Sequence, residues 1–124
     1  MANSLAITMS MELSDGTNKM VVSPPRYSNT PSTFNYHGTI WNIGTTAEAM
    51  PTGDVSSNRW VYLKNLDTTN FVTVGPDSAG TQIDMIKLFA GDFAMFPVKA
   101  GVTIKGKADT SACKVELRLT DSTT

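Results

Sequence analysis

The chain has 124 residues, with ten Lys and Arg against eleven Asp and Glu, giving a formal charge of −1. That length fits one domain, and the charge balance argues against a nucleic-acid partner, which calls for a basic surplus to neutralise phosphates. A single cysteine, Cys113, excludes an internal disulfide framework and a cysteine-rich zinc site, and a single histidine, His37, leaves most catalytic triads and metal clusters without their parts.

The N-terminus, Met1-Ala2-Asn3-Ser4, lacks the basic start and apolar core of a signal peptide, so none is expected. No apolar run approaches the length of a membrane span. Next comes strict alternation. Leu5, Ile7, Met9, Met11 and Leu13 fall on one face, with Ser4, Ala6, Thr8, Ser10 and Glu12 on the other. This pattern predicts one long strand, ended by the hairpin-type turn Asp15-Gly16 and followed by an antiparallel return over Lys19 to Val22. Residues 23–32 hold Pro24, Pro25 and Pro31 among Ser and Asn, and predict an extended connection that crosses to another sheet or to a neighbouring molecule.

Strands are expected to resume at Thr33–Trp41. The stretch from Gly44 to Asn58 is rich in Thr, Ser, Gly and Pro and is expected to be irregular. Its one helical prospect is a single turn over Thr46–Met50, cut off by Pro51. From Arg59 the pattern tightens. Strands are predicted over Trp60–Leu66, Phe71–Val74, Ile83–Phe89, Phe93–Val98, Val102–Lys105 and Cys113–Thr120, separated by turns rich in Asp, Asn and Gly. Gly75–Gly80 is expected to be a loop. In the last strand Val115, Leu117 and Leu119 should face inward and Lys114, Glu116 and Arg118 outward. Eight or nine short strands at this spacing predict an all-β fold, an antiparallel sandwich or barrel. A single domain over residues 1–124 is expected, with residues 1–32 as an N-terminal strand and Pro-rich arm engaged in subunit contacts.

Three segments carry a family resemblance. They are Tyr62 through Gly75 (YLKNLDTTNFVTVG), Ile86 through Val98 (IKLFAGDFAMFPV) and Ile104 through Glu116 (IKGKADTSACKVE). Together, over Arg59–Asp121, they resemble the small virion structural proteins of tailed bacteriophages. The resemblance implies a jelly-roll-like sandwich and a non-enzymatic role in the virion. That role is first a capsid decoration or cement protein, bound to the outer capsid surface and stabilising contacts between capsid subunits. It implies partners as well: the major capsid protein or other virion proteins, and copies of the chain itself, with a trimer the expected number. A neck or tail component on the same sandwich is the alternative, as is a carbohydrate-binding module for host adsorption.

Chemistry-bearing residues are sparse. Gly106-Lys107 has the look of the end of a phosphate-binding loop, but Ala108 stands where Ser or Thr is required. Asp77, Asp84 and Asp92 lie in or near turns and could meet around a hard cation, without a calcium-loop spacing to support it. His37 has no second ligand near it in sequence. Cys113 alternates with Val115 and Leu117, as a buried apolar residue would. Tyr27, Phe34, Tyr36, Trp41, Trp60 and Tyr62 could together form a sugar platform, although a sandwich core needs rings of its own. No enzyme activity, cofactor or metal is expected.

The contact candidates rest on three features. Leu5, Ile7, Met9 and Met11 give the first strand long apolar side chains. Pro24, Pro25 and Tyr27 lie on the donor-poor connection, which suits reaching across a neighbour. Phe93, Met95 and Phe96 belong to a run with too many apolar positions for a strand with one wet face. Low net charge does little to keep like subunits apart, and a symmetric homo-oligomer is expected.

Overall fold

The alternation in the sequence becomes two facing antiparallel sheets with a hairpin arm in front of them. Residues 3–31, 34–55 and 59–121 are described in the computed structural model. The arm comprises β1 (Leu5–Ile7), β2 (Met11–Ser14), β3 (Lys19–Val22) and β4 (Tyr27–Asn29). The sandwich then runs through β5 (Tyr36–Ile43), β6 (Glu48–Ala49), β7 (Arg59–Asn65), β8 (Val72–Ser78) and β9 (Thr81–Gln82). It is completed by β10 (Ile86–Leu88), β11 (Phe93–Pro97), β12 (Ile104–Ala108) and β13 (Cys113–Asp121).

One sheet is ordered β5-β13-β7-β11 and the other β6-β12-β8-β10, with β9 added beside β8. From β5 onward the chain crosses to the opposite sheet at almost every step, and only β8 to β10 stays within one. The last strand, β13, closes the fold by inserting between β5 and β7, paired with both. These two orders are the double Greek key of a jelly roll. The protein is an all-β antiparallel sandwich, as the pattern predicts, and no described residue is helical. The thirteen strand segments exceed the eight or nine expected because several are only two to four residues long.

The core follows from period-two alternation. Trp41, Ile43, Val61, Leu63, Val115, Leu117 and Leu119 point inward from one sheet. Val72, Val74, Leu88 and Ile104 meet them from the other. Lys114 and Arg118 face outward as expected, with Glu116 half-buried beside them. Gly106 lets the thickest side chain cross between the sheets. A Cβ there would come within 2.8 Å of the Trp41 ring and 3.1 Å of Ile43. Gly106 therefore serves packing from inside β12, and the phosphate-loop comparison fails.

Three local expectations are corrected. Thr46–Met50 forms no helical turn: Glu48 and Ala49 pair with Gly106 and Lys105, and the Met50 amide donates to the Ile104 carbonyl at 2.8 Å. A turn of five residues offers too few hydrogen bonds to offset the cost of its own nucleation, whereas the open edge of β12 offers partners at once. Gly75–Gly80 is mostly strand, with the turn confined to Ala79-Gly80. Gly75 is placed where Ile83 doubles back over it, and a Cβ would sit 1.7 Å from the Ile83 carbonyl oxygen. Finally, the predicted strand over Ile83–Phe89 shrinks to Ile86–Leu88 because its first residues are folded over β8. There the Ile83 and Met85 amides donate to the Pro76 and Val74 carbonyls. Thr33, where a strand was expected to begin, lies outside the described residues, and that strand runs from Tyr36 to Ile43.

Candidate functional site

The long first strand is in fact two short ones, and the reason lies across from it. Between β1 and β2 stand Thr8, Met9 and Ser10, opposed by Ser23, Pro24, Pro25 and Arg26. The two prolines have no N–H to donate, so the ladder breaks there, and the extra residue shifts the register by one. This also corrects the expectation for residues 23–32. The segment does not cross to another sheet. It returns along its own arm as β4, with Leu5 opposite Asn29 and Ile7 opposite Tyr27.

Beyond the break, β2 and β3 form a two-stranded ribbon. Met11 pairs with Val22 and Leu13 with Met20, which places all four side chains on one face. The other face carries Glu12 and Lys19, 3.6 Å apart as an ion pair, with Ser14 and Val21. The turn is built by Asp15. Its carboxylate accepts from the Thr17 amide at 2.9 Å and from the Asn18 amide, with the Asn18 side chain at 3.1 Å. Gly16 supplies a φ of 91°. The backbone bonds, that from Asn18 first, hold the Asp15 carboxyl below its ordinary pKa. Every residue of β2 and β3 is exposed: Leu13 retains 67% of its accessible surface and Met11 52%. A two-stranded ribbon wet on both faces is marginal by itself.

The root of the arm is seated on the outer face of the sheet containing β7 and β13. Tyr27 meets Trp60 with ring centroids 5.4 Å apart and planes tilted by 52°. Leu5 and Ile7 are half-buried beside Tyr62, Met95 and Arg118. Next to this contact lies an apolar groove of about 530 Å³. One wall is the arm root, through Met9, Pro24, Pro25 and Tyr27. The other is Trp60 with Phe93 and Met95 of β11. Phe93 is 67% exposed and Met95 47%.

The contact candidates therefore divide. Leu5, Ile7 and Tyr27 fasten the arm to its own sandwich. Met9, Pro24, Pro25, Phe93 and Met95 line the groove, and Met11 lies on the apolar face of the ribbon. Phe96 does not line the groove: it is half-buried and packs against the core with Ala94, because alternate residues of β11 point inward. Sequence reasoning marked Met20 with Met9 and Met11 as methionines suited to an interface, and missed Val22 and Trp60 as partners in this surface. The period-two pattern of β2 was visible, but which face of β3 joins it depends on register.

The other candidate chemistry does not converge. Asp77 pairs with Lys105 at 3.0 Å, Asp84 with Lys107 at 3.4 Å, and Asp92 accepts from the Phe89 amide at 3.0 Å. Among the described residues no three His, Cys, Asp or Glu side chains gather as metal ligands. His37 is half-buried against Gly53. Cys113 is wholly buried, and burial, aided by Asp67 and Asp109, raises its thiol pKa. Cys113 lies opposite Ile43 and His37 opposite Leu119, so the two stand six strand positions apart, roughly 20 Å. They cannot act as nucleophile and base. Among the rings, Trp41 belongs to the core and Tyr27 to Trp60, so the six-ring platform is not assembled.

A jelly roll carrying an amphipathic hairpin arm is thus the class of molecule that the fold and the surface define. No family model matches the chain, and no curated protein matches it. Among solved structures it is similar to a chain from the one described as "Bacillus endospore appendages form a novel family of disulfide-linked pili". That similarity has 18% identity and a TM-score of 0.49, over 74% of this chain and 88% of the other. At that level it speaks to neither partner nor role.

Proposed function

We propose that this chain is a non-enzymatic structural protein of a bacteriophage virion, a decoration or cement protein on the outer capsid surface. There it acts as a homo-oligomer that clamps neighbouring major-capsid subunits. The observation that carries the reading is the amphipathic arm, an extended ribbon with an apolar face in water, held out from a rigid sandwich. Exposed apolar surface of this kind marks a contact site with another protein. The groove lining is predominantly apolar, with Met, Pro, Ile and Phe side chains beside Thr8, Ser10 and the rings of Tyr27 and Trp60, which suits an apolar protein surface. The likeness of residues 59–121 to virion structural proteins supplies the setting.

The test is co-sedimentation of the purified chain with tailless capsids. Saturable binding that tightens the shell against heat is expected, and removal of residues 1–13 should abolish it. Binding only to necks or tails would move the chain to that part of the particle. Binding to neither would overturn the reading.

A further inference from the structure

The arm and the groove are unsatisfied to a similar degree, and they belong to the same chain. We infer that the ribbon tip of one copy docks in the groove of a second copy, with its Met11, Leu13, Met20 and Val22 face laid against Phe93 and Met95. The inference rests on the assembly reading above and names the contact that performs it.

Three observations select a second copy as the occupant. The first is reach. Ile7, Met9, Pro24 and Pro25 line the groove and are themselves the root of the arm. Leu13 stands six residues beyond Ile7, roughly 20 Å along an extended chain. To enter its own groove the ribbon would have to fold back through its own root.

The second is area. At their observed exposures, the apolar residues of the ribbon offer on the order of 400 Å² and those of the groove rim about as much, so two copies that exchange arms reciprocally bury on the order of 800 Å² on each partner, the amount of a standard stable interface. A contact made by the arm alone or by the groove alone would fall well short.

The third is chemistry. The only opposite charges on β2 and β3, Glu12 and Lys19, neutralise each other on the far face of the ribbon. The docking face is thus free of charge, as is β11, which runs Phe-Ala-Met-Phe-Pro. That strand is also an edge of its sheet, paired only with β7. An apolar, uncharged edge strand is a feature that isolated folds normally protect, and an incoming ribbon protects it. Because arm and groove are different surfaces, two copies related by a two-fold axis make the contact twice, each arm in the other's groove, and this closed exchange buries both surfaces against one partner.

Cysteine pairing tests the arrangement directly, since the native Cys113 is buried and does not compete. Leu13→Cys and Met95→Cys are made in separate chains of different tag length. Under mild oxidation the mixture should give a heterodimer that neither variant gives alone. Wild-type chain should sediment as an oligomer at micromolar concentration. Leu13→Lys should lower it to monomer with the thermal unfolding of the sandwich retained, because the ribbon lies outside the core. A wild-type monomer would overturn the inference, and so would Leu13→Cys homodimers without the mixed product, which would mean arm against arm. A chain that stays monomeric yet saturates capsids sinks this contact and keeps the virion role; a chain that exchanges arms yet ignores capsids does the reverse.

Discussion

Asn65 gives the sharpest test of how the sandwich is held together. It ends β7 with its side chain wholly buried, yet it is polar. Its amide nitrogen donates to the Asn70 carbonyl at 2.9 Å and to the Leu88 carbonyl at 3.1 Å, while its Oδ1 accepts from the Asp67 amide at 3.0 Å. Its backbone donates to Asp92 and accepts from Gly91. The side chain therefore pins the 66–71 turn and the end of β10, while the backbone of the same residue holds the approach to β11. Asn65→Leu keeps the number and branching of the side-chain heavy atoms and removes all three side-chain bonds. The Leu88 carbonyl is left in the apolar interior, where an unmade bond costs about 1–3 kcal/mol. The Asn70 and Asp67 groups are half-exposed, and water recovers part of their loss. The sum is roughly 3 kcal/mol, a large share of the 5–15 kcal/mol that holds a typical domain. In urea unfolding, with a slope of about 1–3 kcal/mol per molar, the midpoint should fall by about one to three molar. Thr110→Val is the control. It removes the exposed bond from Thr110 to the Asn70 side chain in the same turn and should stay within about 0.5 kcal/mol. A loss below about 1 kcal/mol for Asn65→Leu would mean that the three loops hold themselves, and the reasoning would fail.

Three further outcomes are expected. Gly75→Ala should cost more than about 2 kcal/mol, because its Cβ meets the Ile83 carbonyl oxygen and the 79–85 segment must lift; faster hydrogen exchange at the Ile83 and Met85 amides would register it, and unchanged exchange would refute it. Asp15 is held below its ordinary pKa by its turn, so its contribution is present above about pH 4 and disappears as the pH falls through its lowered value. Nuclear magnetic resonance titration should place its midpoint below that of the unfolded chain, and Asp15→Asn should remove the acid-dependent fraying of the 15–18 turn. Cys113 should resist thiol reagents in the native protein and react promptly in denaturant, since burial disfavours its thiolate; rapid native labelling would show an opening at the Ser111–Cys113 corner.

Much of this fold was legible in the sequence. Leu117, Leu119 and Val115 alternate with charges, and a period of two admits one buried face wherever they are placed. Asp15-Gly16 fixed the first hairpin through local chemistry, and Ala90-Gly91-Asp92 fixed the turn before β11 in the same way. Local signals fail where the deciding partner is distant. Glu48-Ala49 became strand because β12, more than fifty residues away, had an open edge for it. Asn65 reads as a polar residue near the end of a strand and turned out to be a buried pin, since its partners Asn70 and Leu88 converge only when two sheets face each other. Phe96 shares its run with Phe93 and Met95, and alternation alone does not say which set faces the core. The surface was the least legible part. Composition marked the apolar residues of the arm and of β11, but each set is ordinary by itself. Only tertiary structure seats the arm root on Trp60, leaves the ribbon in solvent and opens a groove beside an edge strand, because these depend on the strand order that β13 fixes when it enters between β5 and β7.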